Sequence, residues 1–162
     1  MARLTDRPAV EVSIDIAAPT SEVWALVTDI NLPARFQDEF RGGEWLDEGP
    51  ALRARFVGRN QRGDWKWETT SWVVTYEPER AFGWAVSDPD DPGSIWTFRL
   101  EATDMGTRLT YHRSLEPGPS GITSSIERNP DRETEIIESR NAEQRENMRM
   151  TIEGIKTLAE GV

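Results

Sequence analysis

The 162-residue chain has no cysteine and one histidine, His112. The absence of cysteine excludes disulfide bonds, thiolate nucleophiles and cysteine-ligated zinc sites, and it fits a reducing compartment. A single histidine excludes a histidine-rich metal site and any mechanism that needs two imidazoles. We therefore expect neither a cofactor nor a metal ion.

Positive charge and long apolar runs are also scarce. The chain has 19 Lys and Arg residues and 29 Asp and Glu residues, which gives a formal net charge of −10. Nucleic acids and anionic membranes, in contrast, bind proteins through clustered positive charge. No apolar run approaches the roughly 20 residues of a membrane span, and the first eight residues lack the apolar segment of a signal peptide. We expect a cytoplasmic protein with no nucleic-acid partner and no membrane insertion.

Aromatic residues are plentiful and concentrated. There are 7 Trp, 5 Phe and 2 Tyr, and all except Trp24 lie between Phe36 and Tyr111. The chain length and the absence of a linker or repeat favour one domain spanning residues 1–162. The middle of that domain must therefore form a large apolar region of the structure.

Period-two alternation of apolar and polar residues predicts seven strands. Gly42 and Gly43 in the second strand indicate a bulge or a close backbone approach. A loop is expected over residues 88–93, which contain two prolines and a glycine. The predicted strands are residues 10–16, 40–46, 52–60, 65–76, 81–87, 94–102 and 107–113.

Helical spacing predicts a short helix that begins at Thr20 or Ser21 and ends before Pro33. A second, long helix is predicted over residues 132–160. Its second half is amphipathic through Met148, Ile152, Ile155, Leu158 and Ala159, whereas its first half has few apolar residues. We expect Ile152, Ile155 and Leu158 to be buried against the sheet.

The order of these elements predicts an α+β fold. Strands joined by short turns are antiparallel, and twist curls a large sheet around the helix that covers it. We expect a curved seven-stranded sheet wrapped around the long C-terminal helix, with short helices after the first strand. The less apolar half of the long helix should leave a hollow above the sheet.

Three stretches resemble a known superfamily: VSIDIAAPTSEVWALVTD over residues 12–29, WTFRLE running into GTRLTY over residues 96–111, and the closing residues 147–160. Together they are similar to the START-like SRPBCC (Bet v 1-like, helix-grip) superfamily, and to its bacterial polyketide cyclase/dehydrase-like branch. The resemblance covers nearly the whole chain. It implies a helix-grip fold around a cavity in which apolar molecules such as polyketides, lipids and sterols are bound or transformed.

The aromatic residues supply candidate ligand contacts on the face that we expect to point at the long helix. Core packing alone could account for any single aromatic ring. Together, however, the rings have more apolar surface than a half-apolar helix can cover. The orientation of Trp65, Trp67 and Trp72 is open, because all three cannot share a face without a bulge. The candidate ligand-binding residues are Trp72, Trp84, Trp96 and Tyr111, with Phe36 and Phe56 near the mouth of the cavity.

Polar candidates are fewer. Arg140, Asn141, Gln144 and Arg145 lie on the weakly apolar half of the long helix, where we expect a solvated face; the alternative is that one of them reaches a ligand oxygen. His112 shares strand parity with residues that face away from the helix, so we expect it to be exposed.

Three functions remain open. The first hypothesis is binding of an apolar small molecule, aromatic, polyketide-like or lipid-like, in the internal cavity, by a monomer or homodimer. The second is a polyketide cyclase or aromatase, with Tyr111, Arg140 and Glu68 as candidate catalytic residues. The third, implied by a co-chaperone-like branch of the superfamily, is a protein-interaction module whose acidic last helix meets a basic partner.

Overall fold

The computed structural model describes residues 2–161. Within them, seven strands form one antiparallel sheet in the order β1-β7-β6-β5-β4-β3-β2. The strands are β1 (Ala9–Ile16), β2 (Phe40–Trp45), β3 (Arg55–Arg62), β4 (Trp65–Glu77), β5 (Ala81–Asp88), β6 (Asp91–Thr103) and β7 (Gly106–Leu115).

Three helices accompany the sheet: α1 (Thr20–Val27), α2 (Gly121–Arg128) and α3 (Glu133–Glu160). Short 3-10 turns occur at Leu4–Asp6, Leu32–Arg35 and Pro130–Arg132. The sheet curls around α3, which confirms the predicted α+β helix-grip architecture. No helix in residues 2–161 is long and apolar enough to cross a membrane.

The 88–93 segment corrects one prediction, since it is not a loop. β5 continues to Asp88 and β6 begins at Asp91, so that only Pro89 and Asp90 turn the chain. Pro92 is paired with Ser87 beside an irregularity in the β5–β6 register. A proline lacks a backbone donor, and it is tolerated at such an interruption of the ladder. The bulge predicted in β2 is confirmed by a register shift between Phe40 and Gly42.

The core lies between the sheet and the C-terminal part of α3. Met148, Ile152 and Ile155 are buried in the main apolar cluster, and Ala159 packs against it. This stripe advances by four, three and four residues, which keeps one face of the helix on the sheet. Leu158 lies beside the stripe and is 36% exposed, so its predicted burial is wrong.

Candidate functional site

A cavity of about 600 Å³ lies between the concave face of the sheet and the first two-thirds of α3. Its position agrees with the hollow predicted beneath the less apolar half of the helix. The volume is in the range of small-molecule sites. Nine aromatic residues of the sheet line the cavity, and six of them, on β3 and β5 to β7, form what is here called the aromatic wall: Phe56, Phe82, Trp84, Trp96, Phe98 and Tyr111.

Strand register builds this aromatic wall. Trp84 on β5 is paired with Trp96 on β6, and Phe98 on β6 is paired with Tyr111 on β7. Paired residues of an antiparallel sheet share a face, so both pairs point to the same side. The Trp84 and Trp96 rings are stacked with centroids 6.4 Å apart, and the Phe98 and Tyr111 rings with centroids 3.9 Å apart. The wall is therefore formed before any ligand arrives.

Four of the six candidate ligand contacts are in this wall, namely Phe56, Trp84, Trp96 and Tyr111. Trp72 is not among the cavity-lining residues. It is paired with Arg55 on β3, whose guanidinium carbon lies 5.5 Å from the Trp72 ring centroid. The expectation that Trp72 faces the cavity is wrong because the β3–β4 register turns Thr69 and Ser71 inward instead.

Phe36 and Glu68 also lie away from the cavity. Phe36 packs over Gly154 at the closed end of α3, where a Cβ atom on Gly154 would come within 2.4 Å of the ring. Its predicted place at the mouth is wrong because a glycine on the helix receives the ring. Glu68 is exposed and is paired with Arg59 on β3. Glu68 belongs to the convex face, so it cannot act on a molecule in the cavity.

Trp65 and Trp67 are cavity residues whose orientation the sequence does not decide. Their rings stack with centroids 4.4 Å apart, and both line the cavity. Trp65 is 53% exposed, so it marks a place where the cavity meets solvent. The alternation of residues from Trp65 to Val73 indicates that Trp65 and Trp67 share a face of the sheet. Trp72 has the opposite parity, so the sequence alone does not show which of these tryptophans faces the helix.

We expected Arg140, Asn141, Gln144 and Arg145 to lie on a solvated face of α3, and this expectation is wrong for two of the four. Arg140 and Gln144 are buried and line the cavity. Both terminal nitrogens of Arg140 donate to the carboxylate of Glu39 at 2.7 Å. Gln144 Oε1 is buried without a hydrogen-bond partner in residues 2–161. Arg145 is exposed, as expected.

Arg113 is a fully buried cation that the sequence analysis treated only as the end of a strand. Its Nη2 donates to Asn141 Oδ1 at 2.6 Å, and its Nη1 donates to the Pro8 carbonyl at 3.4 Å. Burial, and then the nearby charges of Arg140 and Arg145, lower the pKa of Arg113 to about 10. Arg113 is paired in register with Trp96, so it lies on the concave face and joins β7, α3 and the N-terminal segment there.

Tyr111 places a phenol in the wall. Burial raises the pKa of Tyr111 above its ordinary value of 10. The side chain is therefore neutral throughout the physiological pH range, and its hydroxyl is able to donate a hydrogen bond but not to act as an anionic base.

His112 lies on the convex face, between Glu11 on β1 and Thr97 on β6 in the strand register. It is half-buried instead of exposed, and it does not line the cavity. Residues 2–161 contain no group of three or more His, Asp or Glu side chains placed to hold a metal ion.

Comparison with known proteins gives a consistent set of relatives. A family model described as polyketide cyclase/dehydrase and lipid transport matches residues 7–156. The Polyketide_cyc-like protein Cgl2372 from Corynebacterium glutamicum is 34% identical, and the match covers 94% of this chain and 91% of that protein with a TM-score of 0.69. No curated protein sequence matches the chain.

Two further solved structures share the fold at lower identity. Protein MLL2253 from Mesorhizobium loti is 20% identical, with 93% of this chain and 96% of that protein covered and a TM-score of 0.62. The di-domain ARO/CYC BexL from the BE-7585A biosynthetic pathway is 16% identical, with a TM-score of 0.73. That match covers 97% of this chain and 52% of BexL, so this chain corresponds to about half of BexL.

Proposed function

We propose that this chain, which belongs to the polyketide cyclase/dehydrase and lipid transport family, binds an apolar small molecule in the cavity between its sheet and α3. The observation that carries the proposal is the aromatic wall around about 600 Å³ of space. A ligand that covers this wall removes apolar surface from water. Each 100 Å² removed contributes about 2.5 kcal/mol to binding before the entropy cost of association.

The wall favours a flat aromatic or polycyclic ligand. The Trp84 and Trp96 rings lie within 5° of parallel, and aromatic faces stack on planar ring systems. Four of the charged lining residues, Glu39, Arg62, Arg140 and Glu143, are already paired with one another. A neutral ligand leaves these ion pairs intact, whereas a charged ligand has to compete with them.

Matched tryptophan substitutions test this proposal. Trp84→Ala and Trp96→Ala each remove a cavity ring, so we expect each to weaken the binding of Nile red, a neutral apolar dye, by about tenfold or more. Trp72→Ala is the matched control because it removes the same side chain from the convex face. His112→Ala is a second control. Fluorescence titration measures all four variants, and equal losses for Trp72→Ala and Trp84→Ala would reject the cavity as the binding site.

A cyclase or aromatase reaction is a second candidate, favoured by Tyr111 and by the likeness to ARO/CYC proteins. The neutral phenol of Tyr111 could donate a hydrogen bond to a carbonyl oxygen that gains negative charge during ring closure. Of the other two catalytic candidates, Glu68 lies outside the cavity and Arg140 is held by Glu39. Tyr111 is therefore the only one of the three that we still propose for catalysis.

Tyr111→Phe separates the two candidates. In an enzyme, the substitution should reduce turnover of a poly-β-ketone by at least about 10²-fold while binding is retained, the usual size of a general acid contribution. In a binding protein, the wild type shows no turnover and Tyr111→Phe binds Nile red as the wild type does. The third hypothesis, a protein-interaction module, stays a prediction.

A further inference from the structure

Four charged side chains of the cavity lining form one ion-pair cluster, here called the charged latch. Its members are Glu39 ahead of β2, Arg62 at the end of β3, and Arg140 and Glu143 on α3. Arg140 holds Glu39 through two hydrogen bonds of 2.7 Å, and Arg62 Nη2 donates to Glu143 at 2.6 Å. Longer contacts of 3.7 Å from Arg62 to Glu39 and 3.8 Å from Arg140 to Glu143 link the two pairs.

The latch connects parts of the molecule that are otherwise separated by the cavity. The backbone of α3 packs mainly against β1, with smaller contacts to α1, α2 and β7. β2 and β3 lie at the opposite edge of the sheet from β1. Arg140 and Glu143 therefore reach from the helix to the far side of the cavity, where Glu39 and Arg62 meet them.

The latch also borders the open end of the cavity. Arg62 is paired in register with Trp65, the half-exposed ring of the lining. Four other exposed lining residues lie on α2, in the 3-10 turn that follows it and at the start of α3. They are Gly121, Arg128, Arg132 and Glu135. Solvent thus reaches the cavity beside the ion pairs.

Burial differs between the two halves of the latch. The side chains of Arg140 and Glu39 are 11% and 16% exposed, whereas those of Arg62 and Glu143 are 39% and 40% exposed. A bidentate arginine–carboxylate pair shielded from water is stronger and less screened by salt than a surface pair. The Arg140–Glu39 pair is accordingly the stronger of the two ties.

We infer that the charged latch controls passage of the ligand into and out of the cavity. When the pairs are formed, they hold α3 close to the β2–β3 side of the opening; when they separate, the opening widens and the ligand passes. This inference rests on the proposed function, because it requires a ligand in the cavity. Separation lowers the barrier for uptake and release alike, so both rates rise while the equilibrium affinity changes little.

Stopped-flow measurement of Nile red exchange tests the latch. The variant Glu39→Gln/Glu143→Gln removes both carboxylates, and we expect its dissociation rate to rise about tenfold or more, with Kd within about threefold of wild type. The matched control is Glu146→Gln/Glu153→Gln. It removes two carboxylates that pair with Arg149 on the exposed face of the same helix. Its dissociation rate should stay within about twofold of wild type.

Salt supplies an independent measurement on the unaltered protein. Sodium chloride screens the more exposed Arg62–Glu143 pair, so the wild-type dissociation rate should rise with ionic strength. Nile red is neutral, and salt does not act on a charge of the probe. The rate of Glu39→Gln/Glu143→Gln should change much less over the same range. If this double variant does not fold, Arg62→Gln takes its place. It removes the half-exposed pair and the 3.7 Å contact to Glu39 but keeps the Arg140–Glu39 pair, so a smaller rise in rate is expected.

The outcomes distinguish the two proposals. If the wild type does not bind Nile red at all, the proposed function is rejected, and the inferred role of the latch is rejected with it. If the wild type binds but the latch variant exchanges at the wild-type rate, the latch alone is overturned. A faster dissociation rate in the latch variant, together with an unchanged rate in the Glu146→Gln/Glu153→Gln control, supports the latch.

Discussion

Two segments of α3 meet the same sheet in different ways. In the sealed segment, residues 152–160, Ile152 and Ile155 fill the space down to the sheet and are at most 2% exposed. In the roof segment, residues 135–144, buried Arg140 and Gln144 stand over an open cavity. One helix thus closes a core at one end and leaves a chamber at the other. The difference follows side-chain polarity along the helix: apolar residues fill the sealed end, whereas polar residues stand over the cavity.

The largest expected contrast is between Ile155 and Ile136. Ile155 is 1% exposed in the sealed segment, so Ile155→Ala should lower the free energy of unfolding by about 2–5 kcal/mol. Ile136 is half-buried in the roof and borders space that is already open. Ile136→Ala should therefore cost less than about 1.5 kcal/mol. Urea unfolding measures both, and equal losses would show that the two segments do not differ in packing.

The next contrast concerns Gly154. Gly154→Ala places a Cβ atom 2.4 Å from the Phe36 ring, so we expect a loss of about 1–3 kcal/mol. The loss should appear although alanine has the better helix propensity by about 1 kcal/mol. In a Phe36→Ala background the clash is absent, so Gly154→Ala should there raise stability. Thermal melts of the four proteins test this reversal of sign.

The sequence was sufficient to predict the order of the strands, of α1 and of α3, the two-sided alternation of β5 to β7 and the hollow under α3, but not the helix α2. These features follow from local periodicity and from the amphipathic stripe of one helix. The inward position of Trp84, Trp96 and Tyr111 follows from the same alternation.

Non-local register explains most of what the sequence analysis missed. Trp72 and Trp65 differ in parity, and only the pairing of β4 with β3 decides which of them faces α3. Phe36 is drawn away from the cavity by Gly154, more than a hundred positions along the chain. Arg140 is buried because Glu39 neutralises it across the cavity. Each of these contacts joins distant parts of the chain and leaves no periodic signal.

A smaller effect is expected at Gln144 in the roof. Its Oε1 is buried without a partner in residues 2–161, and a buried unpaired acceptor costs free energy. Gln144→Leu keeps the approximate shape and removes that acceptor, so stability should be unchanged or rise by up to about 1 kcal/mol. A loss above about 1 kcal/mol in urea would show that the amide is satisfied in solution. Ile152→Gln is the reverse change in the sealed segment and should be strongly destabilising.

The smallest effect concerns Glu160 at the end of the sealed segment. A hydrogen bond from the Ala17 N–H, and then Lys156, hold the pKa of Glu160 below its ordinary value of 4.5. A carboxylate whose pKa is lowered by folding stabilises the protein above its unfolded pKa, and this stability is lost as pH falls through the folded pKa. Glu160→Gln should therefore lower Tm slightly at pH 7. Wild type and variant should converge in acid, and a constant difference from pH 7 to pH 3 would contradict this assignment.

The same end of α3 has a consequence for how the sheet meets other chains. β1 and β2 are the two edge strands, and free backbone groups on an edge strand are a template for an added strand. Lys156 Nζ donates to the Asp15 carbonyl at 2.7 Å, and the Ala17 N–H donates to Glu160 at 2.8 Å. At the other edge, Gly42 with φ of 107° bends β2 at its bulge. Edge-to-edge strand addition is thus opposed at the C-terminal end of β1 by helix side chains, and at the bulge of β2 by backbone curvature.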